Sequence, residues 1–411
     1  MKPKHFLIAG IIILIALGAA FIVLKQVIVG ITPGVFSSLA KYVVQASEPQ
    51  NNAGAENASQ LPKLEPALIK SVYLTSWSAG RESKINYVIG LAKTTEINAV
   101  VIDVKDFSGY VAYDSQIPEV IKYGAKQIKI PGIASLVQRL HQEGIYVIAR
   151  IAVFQDPVLA RARPELAIFK REVVSSFILR LMAAFSLWLD NLKLAWVDPS
   201  SKEVWDYNIA IAKEASELGF DEINFDYVRF PSDGNLKAMG FPIWKGDISK
   251  HQVIKEFFKA VREGLGDRKL SVDLFGLTTT NRDDLGVGQV IEDAYEYFDY
   301  ICPMVYPSHY AKGFLGFQNP ADYPYEVVKY SMEKAEARLV SYKQANEKDG
   351  KEIKAKLRPW LQDFNLGASY TSIMVKAQIE ATIQALGSDF NGFMLWNSAN
   401  VYKKEALKAE N

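Results

Sequence analysis

One apolar run of the sequence contains a carboxylate in a position where a strand would bury it. Asp226 lies between two aromatic residues in the run Phe-Asp-Tyr-Val-Arg-Phe-Pro, and Asn224 precedes it by two positions. Because side chains alternate along a strand, Asn224 and Asp226 share one face. An unpartnered buried carboxylate costs several kcal/mol. Asp226 therefore indicates either a catalytic group or a structural ion pair with Arg229 or Lys105.

A second carboxylate lies in the next apolar run. Asp273 is the third residue of Ser-Val-Asp-Leu-Phe-Gly, and it lies beside Asp226 if the two runs form neighbouring strands. Hydrolysis of a glycosidic bond needs two carboxyl groups: one donates a proton to the leaving oxygen, and the other attacks the sugar carbon or activates water. We predict Asp226 as the nucleophile or base and Asp273 as the acid. A structural role for Asp273 stays an open alternative.

Polar and aromatic residues near the ends of other apolar runs are predicted to bind the substrate. Each aromatic residue among them could equally belong to the core, and Asp363 has the strand parity opposite to that of Trp360, which leaves its direction open. Asp103 could instead pair with Lys105. The predicted substrate-binding residues are Asp103, Arg229, Tyr306, His309, Trp360, Asp363 and Trp396.

Other chemistries have little support in the sequence. It contains no Gly-x-Ser-x-Gly, no glycine-rich phosphate loop and no His-Glu-x-x-His. With four His and one Cys, a histidine-rich or four-cysteine metal centre is not expected. We predict no cofactor and no metal, although a divalent cation held by Asp oxygens stays open. The net charge of +1 gives no indication of nucleic acid as a partner.

The elements that would position these residues are short apolar runs alternating with helical stretches. Such alternation predicts a parallel sheet, and eight runs predict a closed (β/α)8 TIM barrel, with its active site at the carboxyl ends of the strands. A doubly wound open sheet would more naturally begin with a glycine-rich turn, which is absent. The predicted strands are residues 71–77, 99–104, 146–151, 222–230, 270–276, 300–308, 357–364 and 392–398.

The first part of the chain predicts a membrane tether. Residues 6–24 are uncharged and long enough to span a bilayer, and Lys2 and Lys4 precede them. We predict a cytoplasmic N-terminus at 1–5, a signal anchor at 6–28, a flexible linker at 29–66 and the barrel at 67–411. The barrel would then be extracytoplasmic on a single-pass membrane protein. A cleaved signal peptide is the alternative interpretation.

Several motifs together resemble a family of bacterial and archaeal glycoside hydrolases that was formerly catalogued as a domain of unknown function. They are Val-Tyr-Leu-Thr-Ser-Trp at 72–77, Val-Ile-Asp-Val-Lys-Asp at 101–106, Leu-Ala-Trp-Val-Asp-Pro at 194–199, Phe-Asp-Tyr-Val-Arg-Phe-Pro at 225–231, Asp-Tyr-Ile-Cys-Pro-Met-Val-Tyr-Pro at 299–307 and Arg-Pro-Trp-Leu-Gln-Asp at 358–363. The likeness spans roughly residues 70–405. The motif at 225–231 is the most specific of the six.

The resemblance implies a TIM barrel distantly like the α-amylase-type enzymes, whose fourth strand carries an aspartate nucleophile. That role corresponds to Asp226. The fifth strand of those enzymes supplies a glutamate acid, whereas this sequence offers Asp273. The missing glutamate keeps a second hypothesis open, namely a non-catalytic, membrane-anchored barrel that binds glycans.

One segment departs from the family pattern. Residues 169–190 are largely apolar where a polar loop is expected, with Arg171 and Arg180 interrupting them. The segment is too short and too charged for a second membrane span. An amphipathic helix at a membrane surface, a partner-binding element and a locally altered reading frame all stay open. A partner-binding element would fit a structural role in the cell envelope.

Overall fold

The computed structural model describes residues 64–171, 186–348 and 350–408. The predicted signal anchor at 6–28 and the predicted linker up to residue 63 lie outside the described residues. Within the three described ranges, no helix is both long and apolar enough to cross a membrane.

The described residues form eleven strands that follow the predicted order along the chain. They are β1 (Ile69–Leu74), β2 (Ala99–Lys105), β3 (Tyr146–Ala152), β4 (Phe169–Lys170), β5 (Glu222–Asp226), β6 (Met239–Gly240), β7 (Lys269–Phe275), β8 (Tyr300–Met304), β9 (Lys356–Leu357), β10 (Trp360–Gln362) and β11 (Gly392–Trp396).

A closed barrel is formed by all of these strands except β4 and β6. The sheet order is β10-β11-β1-β2-β3-β5-β7-β8-β9, every pairing is parallel, and Trp360 of β10 pairs with Met304 of β8 to close the ring. The short strands β9 and β10 share one barrel position, separated by Arg358 and Pro359. The predicted eight-stranded parallel barrel is therefore confirmed.

Helices connect the strands and cover the outside of the barrel. Five of them match the helical stretches that the sequence predicts at residues 132–143, 202–218, 249–265, 325–345 and 371–386. A capping box at Ser249 and Gln252 fixes the start of one. The α-helices in the described residues are α1 (Ser76–Ala79), α2 (Glu82–Thr94), α3 (Pro118–Lys122), α4 (Ile133–Gln142), α5 (Pro157–Ala162), α6 (Lys202–Glu217), α7 (Lys250–Leu265), α8 (Pro324–Glu347) and α9 (Ser372–Leu386).

Because side chains alternate along each strand, one set forms an apolar layer outside the barrel and the other set forms a partly polar interior. On β5, Phe225 packs outward against Phe257 of α7, with ring centroids 6.3 Å apart. Glu222, Asn224 and Asp226 occupy the alternate positions and bond to residues of other strands across the interior. A polar column thus runs along the inner face of β5.

The amino-terminal half of the interior contains a balanced ion pair, which we call the lower cluster. Glu222 and Arg358 are both fully buried and form a bidentate pair. The Ser271 hydroxyl donates to one Glu222 oxygen at 2.5 Å, and the Tyr146 hydroxyl donates to the other at 3.2 Å. The Arg358 guanidinium also lies over the Tyr300 ring, 4.1 Å from its centroid. One positive and one negative group therefore neutralise each other.

The segment that departs from the family pattern lies beside the barrel mouth. Its first residues form β4, which pairs antiparallel with β6. Trp188 and Asp190, near its other end, are buried, and Asp190 accepts hydrogen bonds from Gln155 and Trp196. Residues 172–185, on which the three interpretations of this segment depend, lie outside the described residues.

Candidate active site

Four charged residues meet at the carboxyl end of the barrel interior, and we call them the upper cluster: Arg150, Asp103, Asp226 and Asp273. Arg150 Nη1 lies 2.5 Å from an Asp103 oxygen, and Nη2 donates to Asp226. Arg150 Nε lies 3.6 Å from Asp273. Burial alone would lower the pKa of Arg150, but the carboxylates raise it well above its ordinary value. The cluster has three acidic groups for one permanent cation.

Asp226 is the carboxylate of the upper cluster with access to solvent. It is the last residue of β5, and 7% of its surface is exposed. Its second oxygen accepts the backbone N–H of Tyr227 at 2.5 Å. Tyr227 has a φ of 54°, a left-handed conformation that is unfavourable for an aromatic residue. This turn ends the strand four residues earlier than predicted and orients the peptide N–H toward Asp226.

Asp273 lies deeper and is fully buried. One carboxyl oxygen accepts hydrogen bonds from Asn224 at 2.9 Å and from the Trp360 indole at 2.7 Å. The other oxygen has no hydrogen-bond partner among the described residues. Burial, reinforced by the neighbouring Asp226, raises the pKa of Asp273 to about 8. Asp273 is therefore protonated at neutral pH, which is the state a general acid requires.

Asp103 completes the cluster from the side of β1 and β2. Its second oxygen accepts the Tyr73 hydroxyl at 2.5 Å. Burial raises the pKa of Asp103, although Arg150 and Tyr73 act in the opposite direction. The structural alternative for this residue, a pair with Lys105, is not formed. Lys105 instead pairs with Asp156 at 2.8 Å, because a register shift between Asp103 and Lys105 turns the lysine away from Asp103.

The two predicted tryptophan platforms differ in their surroundings. Trp360 is buried to 99%, so the structure does not place its ring where a sugar could stack; its indole instead positions Asp273. Trp396 is half-buried at the end of β11 and stacks on Tyr73 at 3.9 Å. The Arg150 guanidinium lies 5.0 Å from the Trp396 ring centroid. Trp396 therefore borders the upper cluster from the solvent side.

Tyr306 and His309 line a cavity next to the carboxylates. The cavity has a volume of 270 Å³ and lies at the ends of β7 and β8, with Phe275, Gly276 and Met304 also in its wall. Asp273 and Asp226 add to the effect of burial in raising the pKa of Tyr306. Burial lowers the pKa of His309, so the imidazole is neutral at neutral pH. The cavity is mainly apolar and adjoins the polar cluster.

Two predicted residues contact other parts of the molecule. Asp363 is fully buried and pairs with Lys403 Nζ at 2.6 Å, which fixes the C-terminal segment. Its opposite parity to Trp360 therefore directs it away from the upper cluster. Arg229 lies among aromatic rings, 4.9 Å from the Trp196 centroid and 4.7 Å from that of Phe275, and no ion pair with Asp226 is formed. Burial lowers the pKa of Arg229.

Sequence reasoning missed two members of the site, Arg150 and Tyr73. Arg150 lies in the apolar run Tyr-Val-Ile-Ala-Arg-Ile-Ala, where it alternates with Tyr146 and Ile148. An arginine buried in a strand needs anionic partners, so the same argument that identified Asp226 would have identified Arg150. Tyr73 carried no comparable signal, because a tyrosine in a strand is ordinary. Among the residues that the structure describes, no group of His, Cys, Asp and Glu is arranged to hold a metal ion.

Comparison with known proteins places this barrel in a family. Residues 71–402 match the family described as "putative glycosyl hydrolase domain". The chain belongs to this family. The match covers all eight barrel positions and the whole upper cluster of this glycosyl hydrolase domain. No curated protein matches the sequence.

Two solved structures are similar to this family member. A hypothetical protein from Ruminiclostridium thermocellum shares 40% identity over 53% of this chain and 98% of its own, with a TM-score of 0.43. The PgaB (BpsB) glycoside hydrolase domain of Bordetella bronchiseptica aligns with 84% of this chain and 100% of its own, at 12% identity and a TM-score of 0.54. At that identity, the second likeness shows the shared fold.

Proposed function

We propose that the protein hydrolyses glycosidic bonds in an extracellular or cell-envelope polysaccharide. The observation that carries this proposal is the upper cluster, in which two neighbouring carboxyl groups have different surroundings. Asp226 keeps 7% of its surface exposed and bonds to Arg150, whereas Asp273 is fully buried with its pKa raised to about 8. Two neighbouring carboxyl groups with different surroundings are what acid and base roles in one site require.

The roles follow from these surroundings. Asp226 attacks the sugar carbon or removes a proton from water, and the Arg150 guanidinium holds its carboxylate in place. Asp273 donates its proton to the leaving oxygen. Because Asp273 has no exposed surface, this donation requires the side chains that cover it to shift when the substrate binds. Asp103 holds the other side of Arg150 and thereby orients the pair.

Carbohydrate as the substrate class is supported by the family and by the surroundings of the carboxylates. A neighbour in fold is a glycoside hydrolase domain. Trp396 borders the upper cluster, and the cavity at Tyr306 and His309 offers a mainly apolar wall beside it. Such a combination suits a sugar ring, which has apolar C–H faces and polar edges.

The membrane-tethered location belongs to the same proposal. It rests on the uncharged apolar residues 6–24 and on Lys2 and Lys4 before them. A barrel fixed outside the membrane would meet polysaccharides of the cell surface. Fractionation of cells, followed by protease treatment of intact cells, tests this location: the barrel should be degraded while membrane integrity is kept.

The test of the activity is sugar release from a panel of bacterial and plant polysaccharides by the full chain in detergent, beside Asp226→Asn. We expect release by the parent protein and its loss, by about a thousandfold or more, in the folded variant. Equal release by both proteins would contradict the role of Asp226. Circular dichroism serves as the control for folding.

A non-catalytic glycan-binding barrel is the second candidate, and the complete burial of Asp273 favours it. On this alternative, glycans bind at the mouth and no bond is cleaved. Glycan binding without sugar release by the parent protein, and equal binding by Asp226→Asn, would establish the binding function.

A further inference from the structure

One tryptophan at the barrel mouth differs from all others by its exposure. Trp77 lies in α1, directly after β1, and 56% of its surface is exposed. All seven tryptophans lie in the described residues, and the other six are buried or half-buried. A single exposed apolar side chain is ordinary by itself. The position of Trp77 directly after β1 distinguishes it, because it places the ring at the carboxyl end of the barrel, where the active sites of such barrels lie.

A buried lysine contacts the face of the Trp77 indole. Lys129 Nζ lies over the ring, 5.4 Å from its centroid, and this buried ammonium group pairs with Asp106 at 2.8 Å. Gly80 brings the end of α1 against the backbone of Lys129 so closely that a Cβ there would lie 1.9 Å from the Lys129 carbonyl oxygen. A fixed ring loses little conformational entropy when a ligand stacks on it.

A second exposed aromatic ring follows the next strand. Phe107 comes two residues after β2, with 45% of its surface exposed. The Ser76 hydroxyl donates to Asp106 at 3.3 Å and so joins the loops that follow β1 and β2. We call Trp77 and Phe107 the rim platform. Because all barrel strands are parallel, the platform lies at the same end of the barrel as Asp226.

The shape and chemistry of the rim platform fit a sugar ring. Both of its aromatic side chains are exposed, and an exposed aromatic ring suits the flat C–H face of a pyranose. The buried Lys129–Asp106 pair below it leaves no unpaired charge to attract an ion. The platform belongs to the segments that follow β1 and β2, whereas the cavity at Tyr306 lies at the ends of β7 and β8.

We propose that the rim platform binds a sugar unit of an extended glycan, outside the position at which the bond is cleaved. The inference rests on the proposed glycosidase function and deepens it: the protein acts on chains, and cleavage of a disaccharide leaves the platform empty. Trp77 supplies the principal contact, because it has the larger and more exposed ring.

The test compares hydrolysis of disaccharides and hexasaccharides from chitin, starch and cellulose by the full chain and by Trp77→Ala. We expect the ratio of kcat/KM for the hexasaccharide to that for the disaccharide to fall about tenfold in Trp77→Ala. Trp77→Phe, which keeps a ring, should retain most of the ratio. Ile383→Ala removes exposed apolar surface near the end of α9, remote from the mouth, and controls for general surface effects.

The outcomes separate this inference from the proposed function. An unchanged ratio in Trp77→Ala would overturn the rim platform while the glycosidase function stands. If the parent protein cleaves no glycan, the proposed function fails, and titration of the same hexasaccharides decides the inference by binding. Weaker binding by Trp77→Ala than by Ile383→Ala would then support the platform. Equal binding, or no binding by the parent, would overturn it.

Discussion

The barrel interior contains two buried charge clusters that share a strand and differ in balance. In the lower cluster, Glu222 and Arg358 neutralise each other, and two hydroxyl groups complete the bonding of Glu222. In the upper cluster, Arg150 faces three aspartates, and one Asp273 oxygen has no hydrogen-bond partner among the described residues. The balanced pair holds the fold, although Arg358 Nε has no hydrogen-bond partner among the described residues. In the upper cluster, burial beside a neighbouring carboxyl group raises the pKa of Asp273, which makes that group available for proton transfer.

Asn224 connects the two clusters. Its side-chain nitrogen lies 3.0 Å from the Ser271 hydroxyl, which bonds to Glu222, and 2.9 Å from Asp273. The chain of contacts means that the lower cluster also positions the buried acid above it. The two regions therefore differ in role without being independent, and variants in one are informative only beside variants in the other.

The largest expected effect comes from removing the cation of the upper cluster. Arg150→Met leaves Asp103 and Asp226 without the buried counter-ion that they share, so we expect a loss of more than about 3 kcal/mol in the free energy of unfolding at neutral pH. Arg358→Met is the matched variant, because it leaves only Glu222 unpaired. Urea unfolding of both variants should show the greater loss of unfolding free energy for Arg150→Met. The difference between the two variants should grow as pH rises. A greater loss for Arg358→Met would contradict the charge count.

The next effect concerns Asp273 and pH. Its folded pKa of about 8 lies above the unfolded value of about 4, so the folded state binds the extra proton between these limits. The stability contributed by this group is present below about pH 4 and is lost as pH rises toward about 8. Asp273→Asn removes this dependence. Between about pH 5 and 8, we expect the parent protein to lose roughly 2–5 kcal/mol relative to the variant.

Thermal unfolding at several pH values measures this difference, and Asp247→Asn, at an exposed aspartate, is the control from outside the cluster. The activity of the parent should also fall as pH rises through about 8, because the acid loses its proton. A parent protein whose stability relative to Asp273→Asn stays constant over this range would rule out a raised pKa for Asp273.

A smaller effect is expected at the edge of the upper cluster. Tyr73→Phe removes the hydroxyl that donates to Asp103, and Asp103 keeps its bond to Arg150. We expect a decrease in kcat of about tenfold and a stability loss of about 1 kcal/mol. Tyr146→Phe removes the corresponding hydroxyl from the lower cluster and should lower stability similarly with little change in kcat. A larger decrease in kcat for Tyr146→Phe than for Tyr73→Phe would contradict the difference in role between the two clusters.

The fold could be predicted from the sequence because the alternation of apolar runs with helical stretches and the count of eight runs both indicated a (β/α)8 barrel. The ends of the strands could not be predicted from the sequence. The left-handed backbone of Tyr227 and the interruption between β9 and β10 at Pro359 depend on tertiary contacts. Strand parity left the direction of Asp363 open, and in the structure Asp363 pairs with Lys403. Strand parity does not tell how deep a side chain lies within the barrel. The sequence therefore predicts Trp360 as a sugar platform, whereas its indole bonds to Asp273 in the structure.

The site was predictable only in part. An aspartate in an apolar strand pointed to the barrel mouth, and Asp226 and Asp273 do lie together around one arginine. The register between neighbouring strands decides which cation the two aspartates share, and the sequence alone does not reveal that register. Hence Lys105 and Arg229 were considered as partners, whereas Arg150 takes that place. The catalytic roles of the aspartates stay predictions.

The most direct test of the division between the clusters is a paired measurement on Asp226→Asn and Glu222→Gln, each of which removes one negative charge. We predict that Asp226→Asn abolishes sugar release and changes the free energy of unfolding by less than about 1 kcal/mol, since Arg150 keeps two other carboxyl groups. Glu222→Gln should cost about 3–5 kcal/mol of stability and leave measurable activity in the folded fraction. The reverse pattern, an active Asp226→Asn or a Glu222→Gln that is stable and inactive, would contradict the account.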